Sequence, residues 1–218
     1  MFNNERMEWY ELIQRKMQRL GPYWNEGYRE FCVAYLAASD INIAGRHTYL
    51  FGIDDGSHLR QIYQMFRYYH LTPESILVFD SFEGFTKKKI KRFLYSLPDV
   101  GIPIEHLPID WHKWDFDEPM TPEFMNVNPK SAFWIDVDVD TYMHALHILD
   151  FMFQNRLITA QTLISFCDWG QHDGPGLAWH EMCQKYAVEA KEILSYQLGA
   201  QGTSDLQCSK VVMVEQIA

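Results

Sequence analysis

Residues 131–142 read SAFWIDVDVDTY, an apolar run that ends in aspartates at 136, 138 and 140 before Thr141 and Tyr142. The uncharged, bulky part reads as a strand buried on both faces. Alternation along one strand sends all three carboxylates to the same face, where they repel unless the strand ends and water or a cation intervenes. The strand is therefore expected to end near Val137, with a helix starting near Tyr142 and running through MHALHILDFMFQN (143–155). The same succession recurs elsewhere. TYLFGIDDGS (48–57) precedes the amphipathic HLRQIYQMFRYYHL (58–71), and SILVFDSFEGF (75–85) ends its apolar part at Asp80. TLISFCDWG (162–170) leads into a helix expected from Leu177 to Ala190. Strand, polar turn and helix in repetition predict an α/β fold with a mostly parallel sheet, whose ligand edge is where the strands end.

The two ends of the chain read differently. From Glu5 to about Leu36 the spacing of apolar residues is helical, broken at Gly21-Pro22, which predicts a helical N-terminal leader over 1–47 packed on a domain spanning 48–218. Trp9 and Tyr10 on that leader offer a contact for a homodimer. Near the other end, EILSYQLG (192–199) and SKVVMVEQI (209–217) predict an antiparallel hairpin at the side of the sheet. The stretch between is less regular. KKKIKR (87–92) reads as a solvated helix face or an attractor for an anionic acceptor. WHKWDFDEP (111–119) reads as a stacking wall for adenine or acceptor, a surface-docked loop or a subunit contact.

A chain of 218 residues is most simply one large domain. Its net charge of −10 makes nucleic acid and anionic membranes poor partners and leaves small molecules or neutral glycans as the better ones. The four cysteines contain no Cys-x-x-Cys pair, which argues against a zinc knuckle or a disulfide framework and for a reducing compartment. No apolar signal core opens the sequence, and its apolar runs are too short to span a bilayer, so a cytoplasmic protein is expected.

Gly52 and Gly56 bracket the first turn and would let a ligand approach the backbone and the amides of the following helix. Asp80 lies 24 positions beyond Gly56, near the offset at which an acid accepts hydrogen bonds from ribose hydroxyls. A nucleoside-containing cofactor is the reading this pair supports. Asp138 and Asp168 end two neighbouring strands, and converging carboxylates suit a hard divalent cation. Asp140 reads equally as a ligand or as a cap on the next helix. His172 is a second candidate base. Of His144 and His147, one helical turn apart, at least one reads as a packing residue.

Several of these segments together resemble the macrocin O-methyltransferase family, within the class I S-adenosylmethionine-dependent methyltransferases. FGIDDGS (51–57) is similar to its first cofactor loop, and FDSFEGF (79–85) to its Asp-Ser-Phe-Glu-Gly segment. DVDTY (138–142) with LDF (149–151), FCDWG (166–170) and GPGLAWHEM (174–182) resemble the segments that follow. The resemblance implies a Rossmann-like three-layer sandwich with a seven-stranded, mostly parallel sheet. It also implies an O-methyltransferase acting on a hydroxyl of a sugar, glycan or small natural product. S-adenosylmethionine would be held by Gly52, Asp54, Gly56 and Ser57 of the first loop and by Asp80, Ser81 and Phe82 of the second. Asp138 and Asp168 would hold magnesium and carry catalysis, Asp138 doubling as the base.

Two positions depart from the family pattern. Phe51 stands where an acid usually precedes the first loop glycine, and Cys167 stands where a second aspartate usually precedes Asp168. A thiol does not replace a carboxylate for magnesium. Either Asp136, Asp140 or His172 fills the gap, or the protein binds cofactor without metal. Two other readings stand beside this one: a methyltransferase-like binding protein without activity, and an Asp-x-Asp metal-dependent phosphatase or glycosyltransferase using IDVDVDT (135–141).

Overall fold

The computed structural model describes residues 27–53, 57–81, 109–117, 120, 124, 128–170, 174–197 and 208–217. The described chain runs α1 (Gly27–Ala38), β1 (His47–Phe51), α2 (Ser57–Tyr68), β2 (Ser75–Asp80), β3 (Ile109–Lys113) and β4 (Ala132–Val137). It continues through α3 (Tyr142–Gln154), β5 (Leu163–Phe166), α4 (Pro175–Lys185), β6 (Val188–Gln197) and β7 (Cys208–Ile217). The strands form one seven-stranded sheet in the order β3-β2-β1-β4-β5-β7-β6. The first five are parallel, and β7 runs antiparallel to both β5 and β6. This is a Rossmann-like α/β sandwich with an antiparallel C-terminal hairpin.

Period-two alternation in the central strands sorts their side chains into two cores. Leu50, Trp134 and Leu163 pack with α1 and α2 on one face. Phe51, Ile135, Val137 and Phe166 pack with α3 and α4 on the other. Because both faces are covered, β1 and β4 are buried along their whole length, which is why most of their residues are apolar. The one carboxylate within them, Asp136, is 2% exposed and lies on the α1 side.

β4 ends at Val137 and α3 starts at Tyr142, as the crowding of the three aspartates predicts. The cap of α3 is Thr141, whose Oγ1 accepts the His144 N–H at 3.2 Å; Asp140 is exposed beside it and does not cap. The expected helix from Leu177 to Ala190 is too long. α4 closes where the Tyr186 N–H bonds the Met182 carbonyl at 2.9 Å. Ala187 then turns with φ 46°, and β6 begins. Residues 189–192 are exposed on this edge strand, so Glu, Ala and Lys there mimic a solvated helix in composition while pairing with β7 as a strand.

Residues 109–117 are ordered around the sheet edge. They supply β3 and then Trp114, 8% exposed, whose ring meets Phe51 at 6.0 Å and Phe79 at 6.4 Å inside the α3 and α4 core. His144 Nε2 contacts Asp117 Oδ1 at 2.8 Å and His147 Nδ1 contacts the Phe116 carbonyl at 3.0 Å, so both histidines fasten this segment to α3. Trp9, Tyr10 and KKKIKR (87–92) lie outside the described residues. No helix among the described residues is long and apolar enough to cross a membrane.

Candidate functional site

The ends of β2, β1, β4 and β5 are tied into one edge by backbone bonds. The Gly52 N–H donates to the Phe79 carbonyl at 2.9 Å, the Asp138 N–H to Phe51 at 2.9 Å, and the Cys167 N–H to Val137 at 3.2 Å. Gly52 is required here on two counts. Its φ is +78°, and a Cβ at this position would lie 2.1 Å from the Asp138 carbonyl oxygen. Asp80 joins the same edge, its Oδ2 accepting the Ile53 N–H at 2.9 Å. Ser57 opens α2, so the amino-terminal end of that helix lies at this edge, and the half-buried Ser81 follows β2. Asp54, Gly56 and Phe82 fall outside the described residues.

The sequence reading missed the residue that organises this edge. Arg29, on α1, is fully buried, with its Nε 2.6 Å from Asp136 Oδ2 and its Nη2 2.6 Å from Asp138 Oδ2. Ser165 donates to Asp136 Oδ1 at 2.6 Å, and the Trp134 indole N–H donates to Ser165 at 3.0 Å. Tyr28 completes the surroundings of Asp136 at 3.5 Å. Burial lowers the pKa of the guanidinium, but Asp136, Tyr28 and Asp138 outweigh it and hold the pKa well above its ordinary value. The cation that separates Asp136 and Asp138 is therefore internal. One signal for it was in the sequence: a single arginine in the segment Gly27–Ala38, where Tyr28 to Leu36 are buried all round except at Glu30.

Asp168 follows β5 and is 8% exposed. Burial first, and the charges of Asp138 and Asp140 second, push its carboxyl up to about 6. No hydrogen bond from a described residue reaches it. Cys167, beside it, is pushed far above the ordinary thiol range by burial and by Asp138 and Asp168, and its side chain is hydrogen-bonded to Asp138. Gly176 lets α4 close on this turn, since a Cβ there would meet the Trp169 carbonyl at 2.7 Å.

Asp138, Cys167 and Asp168 bring one donor atom each to within 4.8 Å of one another. That set does not suit magnesium, which needs near-octahedral oxygen coordination. One donor is a protonated thiol, and Asp138 already receives both a guanidinium and that thiol. Among the described residues neither Asp140 nor Asp136, which is enclosed by Arg29 and Ser165, joins this cluster; His172 lies outside the described residues. A groove of about 820 Å³ lies at the opposite edge of the sheet, lined by residues such as Phe153, Arg156 and Tyr186, and holds none of the expected site residues.

No family model matches the chain, and no curated protein matches it. Solved structures do. The N-methyltransferase NodS from Bradyrhizobium japonicum WM9 superposes with a TM-score of 0.54 at 13% identity, over 88% of this chain and 97% of that one. CalS11, a TDP-rhamnose 3'-O-methyltransferase of calicheamicin biosynthesis, gives 0.55 at 12% identity over 97% and 95%. The CMeT domain of the citrinin polyketide synthase gives 0.56 at 10% identity, over 89% of this chain and 53% of that one. The chain thus has the fold of Rossmann-like methyltransferases.

Proposed function

We propose that the protein is an S-adenosylmethionine-dependent O-methyltransferase acting on a hydroxyl of a sugar, glycan or small natural product. The observation that carries this is the single edge shared by the Gly52 turn, Asp80, Asp138 and Asp168. The residues fit the cofactor: Gly52 opens the backbone at the end of β1, and Asp80 at the end of β2 stands where ribose hydroxyls are accepted. The name of CalS11, a sugar O-methyltransferase of the same fold, supports the acceptor class.

Bound there, the cofactor would supply an electrophilic methyl group for in-line transfer. The chain must then orient an acceptor hydroxyl and take its proton. Asp168 suits that proton, because its carboxylate is uncommitted and its raised pKa makes it a better acceptor than an ordinary carboxylate. Asp138, bonded to Arg29, shapes the site beside it.

Thermal-shift titration with S-adenosylhomocysteine tests binding, and transfer of a labelled methyl group to nucleotide sugars and glycosides tests the reaction. Stabilisation that D80A abolishes, with label on an acceptor oxygen, is the expected result. Stabilisation without transfer to any acceptor would assign the chain to binding alone, and no stabilisation would reject the reading.

A further inference from the structure

We infer that Arg29 occupies the place of a divalent cation at this edge, so that the Asp136–Asp138 pair is held by a guanidinium from α1 and the site works without metal. The ion-exclusion part stands on geometry alone; only the statement that transfer is metal-free rests on the function proposed above.

Two bonds of 2.6 Å reach the two carboxylates from adjacent branches of one guanidinium, with 1% of the Arg29 side chain, 3% of Asp136 and 15% of Asp138 exposed. A planar fork spans two carboxylates that a point charge on a lysine cannot serve in the same way. Nη1 of the same group is buried and has no hydrogen-bond partner among the described residues. The orientation of Arg29 is thus set by the two aspartates rather than by satisfying every donor. Asp138 receives the Cys167 side chain as well as the guanidinium, and both act as hydrogen-bond donors to it. A second cation bound at Asp138 would sit against the guanidinium, at a donor already engaged. Removing the guanidinium reverses this. Asp138 and Asp168, which already bring one oxygen each to a common cluster with Cys167, would then lose the guanidinium beside them, and freed carboxylate oxygens are what a hard divalent ion binds.

The test is to titrate the wild-type protein, R29M and R29M/D136N with Mn2+, Mg2+ and Zn2+, following thermal midpoint and Mn2+ electron paramagnetic resonance. Methionine replaces the aliphatic stem, and D136N neutralises the more deeply buried carboxylate should R29M alone fail to fold. The expected result is no ion-dependent shift in the wild type up to millimolar Mn2+, and at least a tenfold gain in Mn2+ affinity in whichever arginine variant folds. D138N added to that variant is expected to abolish the gain. R29K, keeping a cation but not the fork, is expected to fall between. Micromolar binding of any of the three ions by the wild type would overturn the inference, and so would an arginine variant that folds and gains no ion binding. Both readouts are blind to methyl transfer, so failure here and failure of the proposed activity are separable. In an active protein, transfer is expected to be unchanged by chelator.

Discussion

Strand β4 receives a buried or half-buried arginine at each end, and the two are handled in opposite ways. At its amino end Arg46 meets only neutral acceptors: Nη2 donates to the Ala132 carbonyl, to Thr159 Oγ1 at 3.2 Å and to Thr162 Oγ1 at 3.1 Å. Burial lowers its pKa. At the carboxyl end Arg29 meets two carboxylates and its pKa is raised well above the ordinary value. Arg46 is a staple, joining the start of β4 to the turn before β5. Arg29 balances charge that the chain has concentrated where ligands bind. The difference shows that a buried arginine takes its meaning from its acceptors and not from its burial.

Substituting each arginine by methionine is the sharpest way to break that comparison. R29M leaves Asp136 buried with no counter-charge, which typically costs about 3–5 kcal/mol. For a chain of this size that is a fall in Tm on the order of 10 °C. R46M removes hydrogen bonds to neutral groups near solvent and is expected to cost about 1–2 kcal/mol. Denaturant unfolding of both variants checks the ranking. Equal losses would reduce Arg29 to a second staple.

Two glycines sharpen the same contrast between the edges. Gly52 and Gly45 both have positive φ, +78° and +68°, yet a Cβ on Gly45 would find only Glu74 Oε2 at 3.8 Å. G45A should therefore cost only the left-handed strain, about 1–2 kcal/mol. G52A adds a collision with the Asp138 backbone and is expected to cost about 3 kcal/mol or more. It should also weaken S-adenosylhomocysteine binding, which G45A should leave intact. Calorimetric titration of the two variants separates a cofactor turn from a merely tight one.

Asp168 carries a prediction with two opposite signs. Its folded pKa, about 6, lies above the ordinary 3.8, so the folded state holds the proton more tightly than the unfolded chain. Its contribution to stability is complete below about pH 4 and is lost as pH rises towards 6. D168N should match the wild type in acid and exceed it in stability near neutrality. Activity runs the other way: kcat/KM should fall below about pH 6 as the proton acceptor is filled, and D168N should lose about 100-fold. A variant stabilised near neutrality that keeps full turnover would leave Asp168 a desolvated carboxylate with no part in proton transfer.

Much of the carboxyl edge was legible in the sequence because its rules are local. Three aspartates at alternate positions cannot share a buried strand, so the end of β4 near Val137 follows from charge and period alone. Gly52 and Asp80 follow from the strand–turn–helix pattern. Arg29 was not legible in the same way, since its partners are 107 and 109 residues away and nothing within α1 states which strand the helix covers. Magnesium is not supported for the same reason: from sequence, water or a cation had to separate the aspartates, and nothing local named the guanidinium that does so. At the other edge the hairpin was legible from Glu192 onward, and only the first residues of β6, 188–190, were read as helix, because an edge strand exposed to solvent need not alternate and its composition then favours a helix.

The smallest test returns to the segment between β4 and α3. Asp140 and Thr141 both have cap chemistry, and only Thr141 uses it, through the 3.2 Å bond from the His144 N–H. T141A should cost about 1 kcal/mol by leaving an orphan amide in the first turn of α3. D140N should cost almost nothing in stability, because its carboxylate is exposed, yet it removes one of the charges that raise the pKa of Asp168. The acid limb of the activity profile should then move to lower pH in D140N and stay in place in T141A. If T141A moves that limb as far as D140N does, the effect reaches Asp168 through the position of the helix rather than through charge.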